Sequence, residues 1–184
     1  MTFSLSSPGP DGLLRVRPAL PGLFLAVATL LFGFGLGIIF GLNEDALKDR
    51  LAASAAAVQE SVYHGDAAAA KAVLDKSWTY MQRAHLHGGA LGTAAIGLIL
   101  TMVLLGTRAG MLRVISLGLG AGGLGYAVYW LLAGFRAPGL GSTGAAKETL
   151  AWLAIPSSGL VVASTAAVAI LILVGMTRRG PTSG

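Results

Sequence analysis

Four apolar stretches, each about the length of a helix that crosses a bilayer, alternate along this chain with polar segments of very unequal length. A helix needs about 20 apolar residues to span the hydrocarbon core. The stretches run over 20–42, 88–106, 114–135 and 150–176. None contains Asp, Glu, Lys or Arg, although Arg136 follows directly on Phe135. A charge at the centre of such a helix costs about 2.5–3.5 kcal/mol on the insertion scale. The first stretch is longer than the h-region of a cleaved signal peptide, and no A-x-A site precedes Asn43, so it is expected to remain as an anchor. The pattern predicts an all-α chain, an integral membrane four-helix bundle.

The polar segments are patterned too. In 43–87, Leu47, Leu51, Ala55, Val58 and Val62 recur in steps of four or three, one face of a helix. Gly65 suits a helix C-cap, and Asp66 can cap the N-terminus that follows. A second stripe follows with Leu74, Trp78, Met81 and His85. Residues 43–87 are therefore expected to form an extracytoplasmic helical hairpin between spans one and two, its second arm running into span two. Its apolar stripes would pack on each other or on a partner. Its carboxylates are interspersed with Lys48, Arg50, Lys71 and Lys76, which reads as a solvated face. Residues 136–149 are expected to be an outer loop. Pro156, followed by Ser157, Ser158 and Gly159, predicts a kink in the fourth span, because proline removes a backbone donor and crowds the preceding turn.

Composition fits this picture. Of 184 residues, 54% are hydrophobic and 11% charged, against about 25% charged in soluble domains. Cysteine is absent, which removes disulfides, thiolate metal sites and thioether-linked haem. The net charge of +5 does not read as a nucleic-acid signal, because the basic residues sit at the ends of apolar runs. Arg15 and Arg17 lie in the tail 1–19, Arg108 and Arg113 in the link after span two, and Arg178 and Arg179 in the tail 177–184. Segment 43–87 carries five basic residues (Lys48, Arg50, Lys71, Lys76, Arg83) against six acidic ones (Glu44, Asp45, Asp49, Glu60, Asp66, Asp75). The positive-inside rule then places both termini on the cytoplasmic side of a bacterial inner membrane. Trp78, Tyr80, Tyr126, Tyr129, Trp130 and Trp152 fall toward the outer side, as an interfacial aromatic belt does.

Small residues four apart allow helix backbones to approach closely. Gly33, Gly37 and Gly41 have this spacing in span one, Gly88 and Gly92 in span two, and Gly118 and Gly122 in span three. They are read as packing positions within the bundle, with self-association as the alternative. Gly118, Gly120 and Gly123 spell G-x-G-x-x-G, as do Gly120, Gly122 and Gly125. That fingerprint signals dinucleotide binding only between a strand and a soluble helix, so inside an apolar span it is set aside.

The three histidines, His64, His85 and His87, lie in the outer segment, two of them at the mouth of span two. Histidine is the commonest metal ligand. Residues two apart on a helix point about 200° away from each other, so His85 and His87 can share one ion only if the helix is broken. Met81 lies one turn before His85, and a thioether with an imidazole suits copper(I). Haem b needs a second axial ligand that no other span supplies. The alternative reading makes both histidines interfacial polar residues.

The run from Trp78 to Gly92, with Ala84-His85-Leu86-His87-Gly88 at its centre, resembles a family of four-span bacterial membrane proteins with A-H-x-H at the start of the second span. Over about ten residues it is also similar to the histidine-bearing helix of haem-copper-oxidase-like and nitric-oxide-response membrane proteins. The second resemblance implies His85 and His87 as cofactor-binding positions. Three functional classes are therefore expected, in order. The first is a non-catalytic accessory or scaffold subunit of a larger inner-membrane, possibly respiratory, complex, with the bilayer, other membrane subunits or itself as partners. The second is a haem- or copper-binding protein using His85 and His87, with Met81 as a further metal ligand. The third is a transporter or channel for a small neutral solute; intramembrane charges, which mark ion pathways, are absent from the spans. No acid, base or nucleophile constellation points to an enzyme.

Overall fold

The computed structural model describes residues 15–177. A 3-10 turn at Arg17–Ala19 leads into α1 (Leu20–Ala56), followed by α2 (Ala67–Leu104), α3 (Ala109–Leu140), the short α4 (Thr143–Glu148) and α5 (Ala151–Thr177). The described residues contain helix and turn and no strand. Helices α1, α2, α3 and α5 are each long and apolar enough to cross a membrane. At about 1.5 Å per residue, the 37 residues of α1 and 38 of α2 far exceed a hydrocarbon core of about 30 Å. Both continue well beyond the apolar zone.

Local chemistry sets the breaks. Asn43, the first residue after the apolar run 20–42, leaves helical geometry (φ −133°, ψ 27°), and its side-chain amide donates to the Ile39 carbonyl at 3.2 Å. Asp66 caps α2, its carboxylate accepting from the Ala68 and Ala69 N–H groups at 2.9 Å each. At the other end of α2, Gly106 takes a left-handed φ of 65°. The Gly106 N–H donates to Val103 and the Thr107 N–H to Met102, both at 3.1 Å, which closes the helix as a Schellman turn. Segment 136–149 is mostly helical and not a loop: α3 persists to Leu140, Gly141 turns the chain, and Ser142 caps α4. The secondary structure of α5 is unbroken across Pro156. A departure from helical φ/ψ falls in α1 at Asn43, where the chain leaves the apolar zone.

The packing is uneven. Helices α1, α2 and α3 pack on one another, while α5 lies along α3 and touches α2 only slightly. Half of the most apolar stretch of α3 is buried within the chain, against 11% for α5. Glycine explains how α3 serves three neighbours. A side chain at Gly120 would strike the Gly22 carbonyl and the Leu25 side chain on α1, and one at Gly134 would meet the Met81 side chain of α2 at 2.6 Å. At Gly122 it would lie 2.8 Å from the Ser157 carbonyl of α5, and at Gly118 it would collide with the Ser164 hydroxyl. The glycines of α3 thus make a helix that is thin on three faces at once. On the α1–α2 seam, a side chain at Gly88 would fall 2.7 Å from the Gly33 Cα, and one at Gly92 would fall 2.6 Å from the Leu30 nitrogen. Gly41 is exposed, with open space around it.

The segment 43–66 packs within the chain. Leu51 and Ala55 are buried, and Leu47, Leu74 and Trp78 pack beside them with Phe135 of α3. At the tip, Tyr63 is buried and donates its hydroxyl to the Pro138 carbonyl at 2.7 Å, 75 positions away. Val62 occupies the space that a side chain at Gly141 would need. The solvated faces carry exposed i,i+4 ion pairs, Lys48–Glu44 and Lys71–Asp75.

Candidate functional site

The histidine-bearing turn of α2 is buried on its inner side. Ser77, Met81, Ala84 and Gly88 recur in steps of four and three, with Tyr80 beside them, and all are buried. His85 sits beside that stripe, against α1. Its Nδ1 lies 2.7 Å from the Gly33 carbonyl oxygen. A carbonyl only accepts, so Nδ1 carries the proton and donates. A side chain at Gly37 would lie 2.6 Å from His85 Cε1, so Gly37 is the notch that admits the imidazole. Gly33 and Gly37 thus act together, one supplying a close backbone crossing with an acceptor and the other supplying room.

His87 faces elsewhere. Its Nδ1 lies 2.7 Å from the Arg83 carbonyl of its own helix. Its ring meets Tyr126 edge-on at 5.2 Å and stacks near Trp130 at 6.0 Å, both on α3. The two histidines therefore point to different helices, and the structure does not bring them together on one ion. Met81 is fully buried among Leu36, Phe40, Leu51 and Ala84. His64 stands exposed at the turn between α1 and α2 with a left-handed φ of 52°. Among the described residues, no three His, Cys, Asp or Glu side chains converge as a metal site.

The structure assembles a cluster that sequence reasoning saw only as a belt. Tyr80, Arg83 and His87 on α2 face Tyr126, Tyr129 and Trp130 on α3. Tyr80 meets Trp130 edge-on at 4.8 Å, and the Arg83 guanidinium lies 5.0 Å from the Trp130 ring centre and 5.5 Å from that of Tyr80. Cation–π attraction of this kind contributes about 0.5–1 kcal/mol at exposed sites. The Trp130 indole N–H is buried and has no hydrogen-bond partner. The spacing of Tyr80, Arg83 and His87 (i, i+3, i+7) was the available signal, since it places all three on one helix face. These groups offer donors, a fixed cation and aromatic faces. They suit holding two helices together near an interface, or contacting a polar headgroup.

The fold defines a helical chain with four helices suited to crossing a membrane. Comparison with protein-family models, characterised sequences and solved structures finds no match for it.

Proposed function

We propose that this chain is a non-catalytic integral membrane protein, an accessory or scaffold subunit of a larger inner-membrane complex, with both termini cytoplasmic. The observation that carries the reading is how its polar side chains are used at membrane depth. Thr29 donates to the Leu25 carbonyl, Thr93 to Gly89 and Thr101 to Gly97, and His85 donates to Gly33 across the α1–α2 seam. Each of these groups donates to a backbone carbonyl, which stabilises the helices. The uneven bundle supports a subunit role, because α5 has one principal neighbour and its Trp152, Ile155, Val162 and Ile170 side chains point away from the chain.

Charge supports the orientation. At the end where α2 turns into α3, the described residues hold Arg15, Arg17, Arg108 and Arg113 and no carboxylate. At the opposite end, Lys48, Arg50, Lys71, Lys76, Arg83, Arg136 and Lys147 are matched by Glu44, Asp45, Asp49, Glu60, Asp66, Asp75 and Glu148, seven against seven. Lys and Arg excess marks the cytoplasmic side. Arg178 and Arg179, which also enter that assignment, lie outside the described residues.

A tagged copy extracted from its native membrane in mild detergent tests the subunit reading. A reproducible stoichiometric partner is expected, and a stable monomer carrying nothing else contradicts it. One observation favours the haem or copper reading. His85 donates through Nδ1 to a carbonyl and keeps Nε2 free, the orientation that metal-bound histidines adopt. A visible spectrum with metal analysis of the same preparation decides that point, since a Soret band or bound copper would replace the first reading with the second.

A further inference from the structure

We propose that the basic end of the molecule carries a specific site for the phosphate headgroup of an anionic phospholipid, an inference that rests on the membrane reading above. Two cavities adjoin at this end. One, of about 500 Å³, is lined by Arg17, Pro18, Pro21, Ala109, Gly110 and Arg113. The other, of about 370 Å³, is lined by Arg15, Pro18, Thr107 and Ala109 among others. They share Pro18 and Ala109 and so flank the start of α3 on both sides.

Two features of these cavities select an anion. Arg15, Arg17 and Arg113 all contribute to the walls, and among the described residues no carboxylate pairs with any of them. Guanidinium is the side chain best matched to phosphate, through two parallel N–H donors. Among the described residues the first turn of α3 has no side-chain cap, so its leading N–H groups find no acceptor there and add the positive end of the helix dipole. Pro18 lines both cavities and Pro21 the larger one.

Location selects a lipid over a free ion. The cavities sit where the apolar runs of α1 and α3 begin, next to exposed Leu20 and Phe24 on α1 and Val114 on α3. A ligand with a phosphate diester and two acyl chains satisfies both zones at once: the headgroup meets the arginines and the chains lie along these apolar side chains. Inorganic phosphate satisfies only the first. Basic pockets between spans on the cytoplasmic side are a known mode of anionic headgroup binding.

The test uses the full chain reconstituted in phosphatidylcholine vesicles with a minor fraction of phosphatidylglycerol, then native mass spectrometry of the lipid it retains. Selective retention of phosphatidylglycerol is expected, and the R17Q/R113Q pair should weaken the preference about thirtyfold. R136Q, at the opposite end, should leave it intact. Because loss of charge can disturb insertion, R17K/R113K serves as a second variant. It keeps the charge and should still lose several-fold of the preference, since lysine cannot make the paired contact. Equal retention of both lipids, or an R136Q loss as large as that of R17Q/R113Q, overturns the proposal. Displacement of the lipid by millimolar inorganic phosphate also overturns it, by showing a free-phosphate site. A chain that fails to float with the vesicles overturns the membrane reading instead, which keeps the two failures distinct.

Discussion

The α1–α2 seam and the α3–α5 seam are both built on glycine, but different atoms fill the space where side chains are missing. At the first, backbone meets backbone: Gly33 lies against Gly88 and Gly89, and the His85 imidazole fills the notch at Gly37 while donating to Gly33. At the second, small hydroxyl side chains fill two of the notches, Ser164 at Gly118 and Ser157 at Gly125, while Gly122 meets the Ser157 carbonyl. Backbone cannot retreat without moving a whole helix, whereas a serine can rotate. The first seam is therefore rigid and intolerant, and the second is forgiving at Gly118 and Gly125 although not at Gly122. The same division separates the mutually packed trio α1, α2 and α3 from the appended α5.

Substitutions can break or sharpen this contrast. The largest effect is expected for G33A, because its methyl would fall on the backbone of Gly88 and Gly89. Overpacking of this kind costs about 1–3 kcal/mol, and the upper part of that range is expected in detergent unfolding. H85A comes next. It removes an interhelical hydrogen bond and leaves the Gly37 notch empty, for roughly 1.5 kcal/mol, with the loss confined to the α1–α2 seam in cross-linking.

Y63F removes the bond from the α1–α2 turn to Pro138 and should cost about 1 kcal/mol. Burial raises the Tyr63 phenol above its usual value of 10.0. The folded state thus holds this proton more tightly than the unfolded state does. The stabilisation is complete below the unfolded value and declines as pH climbs through the raised one. Alkaline titration of tip protection from proteolysis should show this step in the parent and not in Y63F. G118A is expected to cost less than about 1 kcal/mol, since the Ser164 hydroxyl can turn aside, and any loss should detach α5 without melting the other three helices. Smallest is G41A. It shares the four-residue spacing of Gly33 and Gly37 but meets open space, so helix propensity alone should stabilise it slightly, by about 0.5 kcal/mol.

Gly41 also shows how far the sequence could be read. Spacing identifies a glycine face but not where a neighbour crosses it, so Gly33, Gly37 and Gly41 looked equivalent although their surroundings differ completely. The four apolar helices were legible because each needs only a local run of residues, and the Asp66 cap was legible because its signal spans three positions. Tyr63 was not legible, since its partner Pro138 lies 75 positions away and nothing local marks either residue. The opposed directions of His85 and His87 followed from helix geometry. The aromatic cluster around Arg83 was half legible: one face of α2 could be drawn, but the register that sets it against Tyr126 and Trp130 depends on how α3 packs. Pro156 lies inside a continuous helix, and the departure from helical φ/ψ falls at Asn43, where the polar segment begins.

The central claim is that the chain spans the membrane with its arginine-rich end in the cytoplasm. Because the chain has no cysteine, a single introduced thiol reports its own side without background. S61C, at the tip of the balanced end, should react with a membrane-impermeant maleimide in intact cells. A109C, at the start of α3, should react only after permeabilisation. The reverse pattern would invert the orientation, and equal reaction of both in a detergent-free soluble extract would remove the membrane from the account.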